Sequence, residues 1–145
     1  MFYGEFDHSL DAKGRVILPA EIRELLGEKG FMTKVLDGCL AIYRPEEFQK
    51  VQAAMQEYGK GGREERHVAR TFSAGTKPIT PDKQGRVAIP PNLREFAELE
   101  LEHEVKVIGN VNRVELWNTE RWVEVDRLGS ERMRESDPAL DAVGI

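Results

Sequence analysis

Four cations, Lys13, Arg15, Lys83 and Arg86, stand in or beside the same turn of a pattern that the chain writes twice. Asp11-Ala-Lys-Gly-Arg15-Val-Ile-Leu-Pro19-Ala-Glu-Ile-Arg23 returns as Asp82-Lys-Gln-Gly-Arg86-Val-Ala-Ile-Pro90-Pro-Asn-Leu-Arg94. At a constant offset of 71 residues, Asp11/Asp82, Gly14/Gly85, Arg15/Arg86, Val16/Val87, Pro19/Pro90, Arg23/Arg94 and Glu24/Glu95 are identical. A guanidinium is a planar fork that can bond a guanine edge in two places, while a lysine ammonium mostly supplies charge to a phosphate. The competing use is structural: each arginine can form a salt bridge with Asp11 or Asp82 and only brace its turn. Both uses hold together if the aspartate orients an arginine that reads. For Arg23 and Arg94, set among glutamates inside short helices, a structural role is favoured.

The elements that position these groups follow from residue type. Asp at the first and Gly at the fourth position suit a type I turn, with Asp11 or Asp82 bonding its own backbone and Gly14 or Gly85 relieving the exit. Val-Ile-Leu and Val-Ala-Ile then favour extended chain, and Pro19 or Pro90 offers a helix its first residue.

Two D-x-x-x-R elements, Asp11 to Arg15 and Asp82 to Arg86, in a chain that opens Met-Phe-Tyr-Gly-Glu-Phe resemble the MraZ family of bacterial transcriptional regulators. The likeness covers nearly the whole chain. It implies an α+β fold of the swapped-hairpin AbrB class, with two tandem pseudo-symmetric βαβ-type repeats sharing one β-rich core with peripheral helices. It further implies double-stranded DNA as partner, bound at direct repeats upstream of the division and cell-wall gene cluster by a ring-shaped homo-oligomer.

Length and composition frame these expectations. The chain has 145 residues, 40% of them hydrophobic and 32% charged, as expected of a soluble globular protein. Each half is too small to be comfortably stable alone, so two copies interleaved around one core is the economical arrangement. The start lacks a basic then apolar leader and no apolar run is long enough for a bilayer, so a cytoplasmic, nucleoid-associated protein is expected. The net charge of −5 argues at first against a nucleic acid, so its distribution matters more. Residues 60–90 carry seven basic against three acidic side chains, whereas residues 1–59 carry seven against ten and residues 91–145 seven against thirteen. Cations gathered on one face and multiplied by oligomerisation suffice for DNA.

Along the chain, alternation from Phe2 to His8 argues a strand that the Asp11–Gly14 turn returns into Arg15–Leu18 as a hairpin. A helix from Pro19 to Leu26 ends at Gly27, and Phe31–Leu36 and Cys39–Tyr43 flank an Asp37-Gly38 turn. Pro45 opens an amphipathic helix through Phe48, Val51, Met55 and Tyr58. A connecting helix from Glu64 to Phe72 would carry Arg63, Arg66 and Arg70 on one face, either paired with Glu64 and Glu65 or open to phosphate. The plan then repeats: a strand near Thr71–Thr80, the second turn, a strand Arg86–Ile89 and a helix from Pro91 to about Leu99. Val105–Ile108 and Val114–Trp117 follow around a longer Gly109–Asn112 turn, and Asn118 caps a helix through Trp122, Val125 and Leu128. The expected division is residues 1–62 as a first repeat, 63–78 as connector, 79–130 as a second repeat and 131–145 as a flexible tail.

Other chemistries find little support. Cys39 is the only cysteine, which excludes an internal disulfide and reads as a small buried strand residue. His8, His67 and His103 lack ligand spacing, and no phosphate loop, nucleophile elbow or acid/base pair is present, so neither metal, cofactor, small-molecule substrate nor catalysis is expected. Trp117 and Trp122 read as core anchors, and Glu98, Glu100, Glu102 and Glu104 as solvent-facing. The alternative to a DNA-binding regulator is a ring-forming protein-interaction module for which DNA is incidental.

Overall fold

The computed structural model describes residues 1–145. In chain order it contains β1 (Glu5–Ser9), β2 (Arg15–Ile17), α1 (Ala20–Leu26), β3 (Gly30–Lys34), β4 (Leu40–Tyr43), α2 (Pro45–Tyr58) and α3 (Arg63–Gly75). The second half follows with β5 (Lys77–Ile79), β6 (Arg86–Ala88), α4 (Pro91–Ala97), β7 (Glu104–Asn110), β8 (Arg113–Asn118), α5 (Thr119–Arg134) and α6 (Pro138–Asp141). This is the expected α+β fold of two pseudo-symmetric repeats.

The hairpin expected between β1 and β2 does not form. All strands except β2 and β6 make one antiparallel sheet in the order β1-β7-β8-β4-β3-β5, and β2 pairs with β6 as a separate two-stranded ribbon. Each repeat therefore lends its first strand to the other repeat's hairpin, β1 to β7 and β5 to β3. The pseudo-twofold axis passes where Val16 faces Val87 and where Ala41 faces Glu115. Alternation of apolar residues says which side chains turn inward, but it is indifferent to which strand supplies the neighbour.

The sheet has two buried faces. On one, Leu40, Ile42, Val105, Val107, Val114 and Leu116 pack against Val16, Leu18, Val87 and Ile89 of the ribbon and against Ile22 and Leu93 of α1 and α4, within a core of 19 buried residues drawn from both halves. On the other, α2 and α3 cover Ala41 and Tyr43, and Phe48 stacks between Phe31 at 4.6 Å and Phe72 at 6.0 Å. Beside them Cys39, Ile108 and Trp117 form a small cluster with Trp122 against it. Cys39 is buried immediately before β4, and burial first, then the Glu115 carboxylate, push its thiol up to about 12. Glu115 is itself buried, and its oxygens accept from Trp117 Nε1 at 2.9 Å, Arg113 Nε at 2.8 Å and Asn110 Nδ2 at 3.1 Å. A buried charge is tolerable when its lone pairs are filled in this way.

Several local expectations are corrected. Thr71–Gly75 is helical, because carrying α3 on to Gly75 sets Phe72 against Phe48, a packing gain that outweighs the strand preference of Thr71. The β7–β8 turn is only Val111-Asn112; Val111 takes a φ of 61°, held by two 2.8 Å backbone bonds with Phe2. α5 does not stop at Gly129 but continues to Arg134, with Arg127 paired across that glycine to Glu131 at 2.8 Å. Asp37 and Gly38 do turn with positive φ, 70° and 76°, though Leu36 joins them in a short 3₁₀ turn.

Separated at the α3 junction, each half would keep only one hairpin, β3–β4 or β7–β8, and an isolated hairpin is at best marginal in water. Residues 1–70 and 71–145, each produced alone, are therefore expected to show no cooperative thermal melt as monomers. Circular dichroism melting of either half at a verified monomer mass checks this, and a sharp transition contradicts it.

Candidate nucleic-acid interface

The two repeated turns have nearly the same geometry. In the first, Asp11 Oδ1 accepts from the backbone N–H of Lys13 and of Arg15, both at 2.9 Å, and Oδ2 accepts from Arg15 Nε at 2.7 Å. In the second, Asp82 Oδ1 accepts from Gln84 N at 2.9 Å and Arg86 N at 2.8 Å, and Oδ2 from Arg86 Nε at 2.7 Å. Backbone bonds close both loops, Gly14 N to Asp11 O at 3.1 Å and Gly85 N to Asp82 O at 2.9 Å. Gly14 and Gly85 take φ of 78° and 80°, a region open to glycine without strain.

Each turn is also covered by the other repeat. A Cβ placed on Gly14 would overlap Arg94 Nη1, and one on Gly85 would overlap the guanidinium of Arg23. Arg94 Nη1 donates to Ile89 O at 2.6 Å, whereas Arg23 Nε is buried without a partner. Further cross-repeat bonds, Leu18 N to Gly85 O at 3.0 Å and Ile89 N to Gly14 O at 2.8 Å, tie the turns to the ends of the ribbon.

The salt bridges Arg15–Asp11 and Arg86–Asp82 are thus present, and each leaves the outer nitrogens of its arginine beyond the aspartate's grip. Each arginine side chain remains nearly one-third exposed, 29% and 30%. Strand alternation places Arg15, Ile17, Arg86 and Ala88 together on the outer face of the ribbon, opposite buried Val16 and Val87. Arg15 faces Ala88 and Arg86 faces Ile17, so the two arginines are diagonal neighbours with Cα atoms about 7–8 Å apart. Ile17 is 45% exposed there. Sequence reasoning singled out the arginines but not Ile17 and Ala88; the alternation that buries Val16 and Val87 carried that signal.

The lysines are less symmetric. Lys13 occupies the position of Gln84, and Lys83 that of Ala12, and both lysines are exposed on the turns. Gln84 Oε1 accepts from Arg86 Nη2 at 3.3 Å, a contact Lys13 has no acceptor to make. Arg63, Arg66 and Arg70 are exposed on α3, and of the two arrangements left open for them the pairing with Glu64 and Glu65 does not form.

With this geometry in view, comparison with known proteins decides the family. The MraZ protein family model matches the chain twice, over residues 1–71 and 72–139. The chain belongs to the MraZ family. A "Transcriptional regulator MraZ" of Acetivibrio thermocellus is 48% identical over 122 residues, 84% of each chain. Proteins of the same name from Halothermothrix orenii and Thermoanaerobacter sp. strain X514 are 40% and 41% identical over the full length of both chains. No helix is long and apolar enough to cross a membrane.

Hydrogen bonding to the charged form holds both turn carboxylates below their ordinary value of 3.8, with the backbone N–H of Arg15 or Arg86 as the largest cause, opposed by partial desolvation and reinforced by the same arginine's side chain. A depressed folded pKa stabilises the turn fully above the unfolded value, and that contribution is lost as pH falls through the folded one. Asp11 and Asp82 are therefore expected to titrate below 3.8, leaving the turns intact across the neutral range. A carboxyl ¹³C NMR titration measures this directly, and ordinary midpoints would show that the turns are not locked in solution.

Proposed function

We propose that this chain is a transcriptional regulator that binds double-stranded DNA through the outer face of the β2–β6 ribbon. The observation that carries this reading is the placement of Arg15 and Arg86 side by side on that face, each held at Nε by its own aspartate. A major groove about 12 Å wide admits a two-stranded ribbon, and an arginine there can bond guanine O6 and N7 together. Asp11 and Asp82 orient the forks, Gly14 and Gly85 permit the turns, and Lys13 and Lys83 supply charge to flanking phosphates. Ile17 and Ala88 offer apolar contact to thymine methyls. Relatives named as transcriptional regulators over the whole chain support the same reading.

The finer expectations remain part of the proposal. The protein acts in the cytoplasm at the nucleoid, assembles as a ring, and reads direct repeats upstream of the division and cell-wall gene cluster. One chain already contains both copies of the turn, so its internal pseudo-twofold is used up and further association runs head-to-tail. Subunits related by rotation face DNA in the same sense, which asks for repeats in one orientation, spaced by about 10 bp. The competing reading, an assembly module with incidental DNA binding, is separated by salt: binding through many phosphates weakens steeply as ionic strength rises.

Selection of bound fragments from random duplexes, then fluorescence anisotropy on the selected site, tests the assignment. Arg15→Ala or Arg86→Ala is expected to cost about 1–3 kcal/mol per lost base contact, compounded over engaged subunits, while the melting temperature stays near that of the wild type. Undiminished binding by the folded double variant would overturn the site. A collapse of the melt would assign the arginines to bracing alone.

On the same duplexes, inverting one repeat or shifting it by half a helical turn is expected to abolish most of the avidity, and a lone repeat to bind poorly. Equal anisotropy titrations for native and inverted arrangements would contradict the direct-repeat assignment.

A further inference from the structure

The two halves differ most in what covers their outer helices. α2 and α5 follow equivalent strands, and an offset of 74 residues sets Trp122 on Phe48 and Val125 on Val51. α2 is then covered by α3, whose Phe72 stacks on Phe48. Nothing equivalent follows α5, only the four-residue α6, and α5 contains no buried residue.

α5 nevertheless has a face to bury. Trp122, Val125, Leu128 and Met133 lie along one side at helical spacing. Trp122 is fixed at the body, 5.8 Å from the Trp117 ring, while Val125, Leu128 and Met133 are exposed. The opposite side is closed by Arg127, which pairs with Glu124 at 2.6 Å and Glu131 at 2.8 Å. α5 is thus amphipathic, with its polar face satisfied and its apolar face unmatched.

The first half carries a surface that fits it. An open apolar groove of about 400 Å³ is lined by Val51 and Met55 of α2, Val68 of α3, Phe96 of α4, and Val35 and Leu36 after β3. Leu36 is 85% exposed. The polar groups on the groove include Lys34 and His67, and Lys34 rests its ammonium 5.3 Å from the Phe96 ring without a carboxylate partner. The segment that carries the bare helix is acidic: residues 119–145 hold four basic against seven acidic side chains. Asp126 flanks the apolar stripe. At 1.5 Å per residue α5 is about 24 Å long and α3 about 20 Å, so α5 is long enough to lie along α3.

We propose that α5 of one copy lies in the α2–α3 groove of a second copy, its Val125, Leu128 and Met133 as anchors and its acidic flank against Lys34 and His67. This rests on the ring reading above and names the surfaces that would build it. A helix laid in a groove is a recurrent docking mode, read as anchors three and four residues apart. Helix and groove are different patches of one chain, so the contact is heterologous, and each copy offers both a donor and an acceptor.

Mixing two variants tests it. Val68→Asp spoils the groove and leaves α5 intact; Leu128→Asp spoils α5 and leaves the groove intact. Both positions are about half exposed, 45% and 50%, so neither substitution should unfold the chain, and far-UV circular dichroism verifies this. Light scattering at micromolar concentration is expected to give a multi-chain mass for the wild type and a single-chain mass for each variant. An equimolar mixture should give a two-chain mass and nothing larger, because only one intact interface is available. Leu36→Asp and Met133→Asp provide a second pair at more exposed positions. Variants that keep the wild-type mass, or a mixture that fails to pair, overturn the assignment of these surfaces. Loss of assembly in the α5 variants alone would mean that α5 pairs with α5, and would overturn it too. A single-chain mass for the wild type itself overturns the ring reading, and the proposal with it.

Discussion

Val16 lies opposite Val87 and Ala41 opposite Glu115, so the chain's two halves meet along a single pseudo-twofold axis through both its ribbon and its sheet. The outer face of the ribbon depends on that exchange. β2 is only three residues long and finds its partner in β6, 71 residues away. Without that pairing, Arg15 and Arg86 would end separate loops and could not share a face. The exchange also explains the core: Val16, Leu18, Val87 and Ile89 are buried from above by the sheet that the same two halves complete. Contacts this distant in sequence are entropically slow to form, but once formed they make ribbon, sheet and turns a single cooperative unit.

The turns show how a short motif can fix a loop and aim a side chain together. Asp11 and Asp82 each spend one oxygen on two backbone N–H groups and the other on an arginine Nε. The carboxylate therefore fixes the loop and aims the side chain by one set of bonds. A salt bridge this exposed adds little stability, so its main effect is on orientation: it restricts the guanidinium before any ligand arrives, and a preorganised group loses less entropy on binding. The overlying Arg94 and Arg23 reach across from the opposite repeat and make the shape of each turn depend on both halves.

The sequence was most legible where chemistry is local. D-x-x-G-R gave the turns, Pro45 the start of α2, Gly27 the end of α1 and Asn118 the cap of α5, whose side chain accepts from Arg121 N at 3.0 Å. It was least legible where distant packing decides. A β1–β2 hairpin satisfies the same alternation as the observed exchange, and nothing near Ser9 or Arg15 marks β7 and β6 as the true partners. Thr71–Gly75 went to helix because Phe48 lies in space where Phe72 can stack on it. Of the candidate site, the repeated Asp, Gly and Arg were visible at once. The joint presentation of Arg15 and Arg86 was not, because it exists only after β2 and β6 pair.

Pseudo-symmetry is close in the backbone and Asp–Arg bonds of the ribbon and its turns and broken at the outer helices. On the DNA-binding reading proposed above, a ribbon with two equivalent arginines gains from symmetry, since each fork would then meet its base edge in the same local frame. The head-to-tail assembly proposed above asks for the reverse. If both halves carried an α3-like cover, every outer apolar face would be satisfied within the chain and no copy would have reason to associate. If neither did, two like faces would pair about a twofold axis and stop at a dimer. Covering α2 with α3 while leaving α5 bare gives the chain direction, with a groove on one half and an unmatched helix on the other. The asymmetry therefore falls on the faces that the proposal assigns to assembly, away from the surface that repeats Arg15 as Arg86.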